Sequence, residues 1–237
     1  MGIVKRFVRF VRRKKASHVW PMIIFLIIYL IWFHIIEIIP RRHYIQVILP
    51  VDRLIPFIEV FVVPYLSWFF YVGLGITIVY LKDRDAYDRM CTVLMIGMTV
   101  FLLVSTFLPN RQPLRLTQMP RENIFTDMII ALWKTDTPTN VWPSIHVFNT
   151  AAVELAYLTS KNDFFRKNYL FRCGTLVWGI LIIMSTVFIK QHSLFDVLSA
   201  LSIIAVCLGW VYFADHVFRF RKWDVFIDRF ERKILEK

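Results

Sequence analysis

Cysteine is scarce in this chain, and the three that occur, Cys91, Cys173 and Cys207, lie far apart within apolar runs. Neither metal-ligand spacing nor a paired pattern is present. A disulfide scaffold and a cysteine-bound metal centre are therefore excluded, and simple packing is the expected role of all three. The carboxylates form no cluster suited to Mg²⁺, so no metal and no cofactor is expected. Nucleic-acid motifs are also missing, and no polar stretch is long enough for a separate soluble domain.

Apolar residues, by contrast, make up 57% of the 237 residues, and the mean hydropathy is +0.55. A single soluble core of this length cannot hide that fraction from water, which puts the chain in the membrane class. A spanning helix takes roughly 20 mostly apolar residues. Six runs read as spans: Val19–Pro40, Phe57–Leu81, Met90–Leu108, Ser144–Leu158, Leu170–Phe188 and Leu194–Phe213. The first follows a basic head, yet it is too long for the apolar region of a signal peptide and lacks a small-residue cleavage site, so it reads as a retained helix. The fourth is short and should start from a cap at membrane depth. Between the third and fourth lies the longest loop, with four basic residues and one short apolar piece, Ile124–Trp133. The predicted fold class is all-α, a polytopic bundle of six transmembrane helices.

The net charge of +12 is unevenly placed. Of the 29 Lys and Arg residues, 21 fall in the N-terminal head, the second and fourth loops and the tail, and 8 on the other side. The positive-inside rule then predicts both termini in the cytoplasm and the first, third and fifth loops outside. In the head, Ile3, Val4, Phe7, Phe10 and Val11 recur at helical spacing between basic residues; in the tail Phe218, Trp223, Phe226, Ile227 and Phe230 do the same. Both patterns suit interfacial anchoring to anionic lipid rather than nucleic-acid binding. The expected organisation is residues 1–18 as a basic interfacial segment, 19–217 as a six-helix catalytic domain and 218–237 as a basic cytoplasmic tail.

Ionisable groups near the end of an apolar span cost free energy unless paired or functional. Three stand on adjoining edges of the predicted bundle: His146, His192 and Asp196. If the sixth helix begins near Gln191, His192 and Asp196 share a face about one turn apart. The carboxylate then accepts the Nδ1 proton and stabilises positive charge on the imidazole. Alone, such a pair is common as an ordinary helix-start histidine bonded to a downstream aspartate. His146 adds to it, because it follows Pro143 and Ser144 at a helix start, where free amides and the helix dipole favour an anion. Arg115, with Arg111 and Arg121 in the same loop, offers guanidinium groups for phosphate oxygens, although each alone also suits a solvated loop. Lys190 lies two residues before His192. Glu37, Glu59 and Glu154 sit near span ends or a turn inside, with no charge marking a transport path.

With these residues in place, the chain resembles the type 2 phosphatidic acid phosphatase superfamily, whose pattern is K-x6-R-P, P-S-G-H and S-R-x5-H-x3-D. Pro143-Ser144-Ile145-His146 is similar to the second motif, Ser185 with His192 and Asp196 to the third, and Arg115 to the arginine of the first. The resemblance spans about residues 55 to 210. Departures fall at Leu108 for the first-motif lysine, Leu116 for its proline, Ile145 for the glycine and Thr186 for the third-motif arginine. This altered set is similar to a divergent branch that includes sphingolipid phosphotransferases, with Arg111 and Lys190 as candidate replacements for the two absent cations.

The resemblance implies a metal-independent membrane lipid phosphatase in which His192 attacks phosphorus, Asp196 orients it and His146 protonates the leaving oxygen. Arg115, Ser144, the backbone at Ile145, Lys190 and Arg111 would bind the phosphate. The implied substrate is a phosphatidate-like or isoprenoid lipid phosphate or diphosphate at the outer face of a plasma (inner) membrane. Two alternatives stay open: a phosphotransferase acting onto a lipid alcohol such as ceramide or diacylglycerol, and a non-catalytic lipid-binding protein. The implied partners are membrane lipids and the lipid substrate, with oligomeric state open.

Overall fold

A computed structural model describes residues 19–39 and 41–218. The basic head, residues 1–18, and the tail beyond Phe218 lie outside the described residues, and so does the anchoring expected of them. In chain order the α-helices are α1 (Trp20–Ile38), α2 (Val62–Lys82), α3 (Arg84–Phe107), α4 (Ile124–Thr135), α5 (Ile145–Thr159), α6 (Asp163–Lys167), α7 (Tyr169–Phe188) and α8 (Leu194–Cys207). Five are long and apolar enough to cross a membrane: α1, α2 with the turn from Glu59, α3, α7, and α8 with its continuation to Phe213. That continuation, Leu208–Phe213, is wound as a π-helix.

The predicted fourth span, α5, has only 15 residues. It is enclosed by α2, α3, α7 and α8, so its flanks meet protein and its length is not set by the lipid. The six runs are thus five long helices and a short fourth one, short as the sequence predicts. Two glycines allow the close approach: a Cβ on Gly97 of α3 would land on the Phe148 ring, and one on Gly75 of α2 would strike Val153. Helix α3 starts six residues before the expected Met90, because Asp83 caps it by accepting from the amides of Asp85 and Ala86, each at 3.1 Å.

The two ends of the bundle are tied differently. At one end Asn162 donates to the Lys82 carbonyl at 2.7 Å, and Arg89 bonds the Val211 carbonyl at 2.8 Å and Asp215 at 2.6 Å. The main apolar cluster starts here with Tyr87, Met90, Phe165 and Val211 and runs along the bundle to Val147 and Val197. At the other end three loops meet. Strand β1 (Ile45–Gln46) pairs in parallel with β2 (Asn110–Arg111). Buried Asn110 accepts from the amides of Val141 and Trp142, each at 2.9 Å, which fixes the approach to Ser144.

Candidate functional site

The turn between α7 and α8 is held from both sides. The amides of Gln191 and His192 both donate to the Thr186 carbonyl, at 3.0 and 2.9 Å, and Lys190 takes a left-handed conformation with φ 58. Ser193 is the N-cap of α8. Its hydroxyl accepts from Phe195 N at 3.0 Å, and the Asp196 carboxylate accepts from Ser193 N at 3.0 Å, a reciprocal capping box. The helix begins at Leu194, where the predicted sixth span starts, so His192 lies in the turn before α8 and the shared helix face that a start near Gln191 would give does not form. Asp52, 141 and 142 residues away in sequence, grips the same turn. Its Oδ2 accepts from the Ser193 hydroxyl at 2.6 Å and its Oδ1 from Leu194 N at 2.7 Å.

This turn delivers His192 to Asp196 and His146 together. His192 Nδ1 lies 3.2 Å from Asp196 Oδ2, and His192 Nε2 lies 3.3 Å from His146 Nδ1. With His192 Nδ1–H donating to the Asp196 carboxylate, the Nε2 lone pair of His192 faces its neighbour. Aromatic rings hold His146 on two sides, Tyr65 at 4.6 Å and Trp68 at 4.4 Å between centroids, and Trp68 Nε1 donates to the His146 carbonyl at 3.1 Å. Ser144 caps α5, its hydroxyl accepting from Val147 N, while its own amide donates to the Asp196 carbonyl at 3.4 Å. The starts of α5 and α8 are thus joined. Among the described residues, no group of three His, Cys, Asp or Glu side chains is placed to hold a metal ion.

The predicted cations separate. Arg115 reaches the turn: its Nη1 donates to the Trp133 carbonyl at 2.9 Å, and its Nη2 to the Asp136 carbonyl and to Gln191 Oε1, the latter at 2.7 Å. The guanidinium lies over the Trp133 ring, 5.5 Å from its centroid, and its buried Nε has no partner among the described residues. Burial lowers the Arg115 pKa from its ordinary value, opposed by Asp136 and Tyr65. Lys190 turns the other way: its ammonium is held by the carbonyls of Asp52 at 3.0 Å and Ile55 at 2.5 Å, and burial lowers its pKa against the pull of Asp52. Arg111 is exposed and contributes backbone to β2. The Ile145 side chain packs against the cluster of α1 and α3, which leaves only its backbone for a ligand.

Sequence reasoning missed five members of this constellation. Asp52, Tyr65 and Trp68 are described above; the others are Gln191 and Asp136. The half-buried Asp136 carboxylate accepts from Gln191 Nε2 at 2.8 Å and from Tyr65 Oη at 3.1 Å. Burial raises its pKa, with His192, Tyr65 and Arg115 opposing. One signal was present: Gln191 directly precedes His192. Nothing in the sequence separates Asp52 or Asp136 from solvated loop residues.

The searches of curated proteins and of solved structures returned no match. Residues 117–221 match the family model of the PAP2 superfamily. The matched stretch holds Ser144, His146, Ser185, His192 and Asp196, and it begins two residues after Arg115. The match is consistent with a member of the type 2 phosphatidic acid phosphatase superfamily.

Proposed function

We propose that the protein is a lipid phosphatase that works through a phosphohistidine at His192. The observation that carries this reading is the line Asp196, His192, His146, in which each carboxylate or ring nitrogen lies within 3.3 Å of the next. Asp196 accepts the hydrogen bond from His192 Nδ1–H, which leaves the Nε2 lone pair to attack phosphorus. As the new N–P bond forms, the bond from phosphorus to the lipid oxygen breaks, and His146 gives that oxygen a proton. Water then attacks the phosphohistidine, with His146 accepting its proton. Arg115 and the start of α5 bear the negative charge spread over the phosphoryl oxygens, the main catalytic demand in this chemistry.

The 3.3 Å contact between the rings has a consequence for the order of events. Attack requires phosphorus about 3 Å from the nucleophile, so the phosphoryl group displaces the ring-to-ring contact as it binds. His192→Ala is expected to abolish phosphate release while the purified protein stays helical and inserted. Retained turnover would reject the assignment and favour the non-catalytic, lipid-binding reading. A panel of phosphatidate, undecaprenyl diphosphate and ceramide-containing mixtures, followed for phosphate and new lipid together, identifies the substrate.

A second reading, transfer to a lipid alcohol, gains support from a cleft of about 1170 Å³ whose lining includes Leu116, Met119, Arg121, Asp127, Ile130 and Trp133. Trp133 is shared, since its ring and carbonyl also hold Arg115, so a second substrate could sit one side chain from the first. Labelled phospholipid supplied with and without ceramide or diacylglycerol decides between them. Product formed only with acceptor makes the enzyme a transferase.

A further inference from the structure

Arg115 is held at Gln191, the residue before His192, by three hydrogen bonds of unequal kind. Two go to the main-chain carbonyls of Trp133 and Asp136, which any residues at those positions would supply. The third goes to a side-chain amide oxygen, Gln191 Oε1, and it exists only while that amide faces one way. Turned over, Gln191 would set its NH₂ group against a guanidinium that has no acceptor, and two donors would meet.

The Asp136 carboxylate settles the direction. Its Oδ2 takes the Gln191 Nε2 donor at 2.8 Å, which leaves Oε1 aimed at Arg115. The same oxygen accepts from Tyr65 Oη at 3.1 Å, and the Tyr65 ring lies against His146. One carboxylate thus touches the support of the arginine, of the His192 turn and of the second imidazole. With Lys190 engaged by the carbonyls of Asp52 and Ile55, Arg115 is the cation joined to this turn through its side chain, and its aim matters accordingly.

We propose that Asp136 is a positioning residue that, through Gln191, orients Arg115 toward a phosphoryl group seated on His192. The proposal rests on the lipid phosphatase reading above. Its three parts form a relay, Asp136 to Gln191 to Arg115, in which only the last touches substrate. The effect of Asp136 that runs through this relay therefore exists only while Arg115 is present, whereas support given through Tyr65 to His146 would persist without it.

The test is a double-mutant cycle on the full chain, read as kcat/KM for phosphate release from phosphatidate in mixed micelles, or from the panel lipid turned over fastest, with thermal unfolding of each variant. Asp136→Ala is expected to lower kcat/KM by about 10- to 100-fold. Added to Arg115→Ala, the same change should cost less than about 2-fold further. Asp136→Asn, whose amide oxygen replaces Oδ2 as acceptor, should stay within about 3-fold of the unaltered protein. Losses that multiply across the cycle, or an Asp136→Asn as impaired as Asp136→Ala, overturn the proposal. Should Asp136→Ala not fold, Gln191→Leu takes its place in the cycle with the same expectation. A His192→Ala variant that keeps turnover removes the phosphatase reading itself. An inactive His192→Ala with multiplying losses removes only the relay.

Discussion

At the scale of single residues, the sequence exposes what is expensive and hides what is merely polar. His146, His192 and Asp196 stand out because ionisable groups beside apolar runs need a reason. Asp52 looks like any loop carboxylate until its partners are seen. It accepts from Leu49 N at 2.6 Å, from Ser193 Oγ and from Leu194 N, and it is 1% exposed. Asp52→Ala strands these donors and is expected to cost about 2–3 kcal/mol in denaturant titration of the solubilised protein. Activity should fall further than stability does, since the turn bearing His192 loosens first. Asp136 and Gln191 were hidden for the same reason: their meaning lies in contacts made across 55 or more residues of chain, which no local pattern records. The predicted spacing of His192 and Asp196 paired the right residues, but through a capped turn rather than a shared helix face.

At the scale of elements, apolar length marked every long helix, whereas the ends depended on caps. Helix α3 begins at Arg84 because Asp83 caps it, and a run of charged residues at its start concealed that. The π-helical stretch at Leu208–Phe213 has no signature in an apolar run. Nor did the hydropathy pattern reveal that α5 is enclosed; the glycines facing it carry that information in three dimensions. Gly97→Ala is expected to destabilise the bundle by about 1–3 kcal/mol through overpacking against Phe148. Combining it with Phe148→Leu should recover part of the loss in thermal unfolding, because the clash and its relief share one site.

At the scale of the whole molecule, the loops at 41–58, 109–143 and 189–193 meet at one end, and the segments near Lys82, Asn162 and Asp215 at the other. From the Lys and Arg distribution the first end, with the candidate site, is expected to face the extracytoplasmic side. In a Cys173→Ser background, a membrane-impermeant thiol reagent applied to intact cells should label Gln118→Cys and spare Lys161→Cys. The reverse pattern would invert the topology and place the site in the cytoplasm. The same two-ended build separates two kinds of failure. The paired imidazoles hang from clasped loops, whereas the largest apolar cluster ties the helices together along the bundle, from Tyr87 and Val211 to Val147 and Val197, so mild heat or harsh detergent should silence the protein before the helices come apart. A preparation that has lost all turnover would still give a full helical signal, and storage losses should be reversible by returning it to lipid.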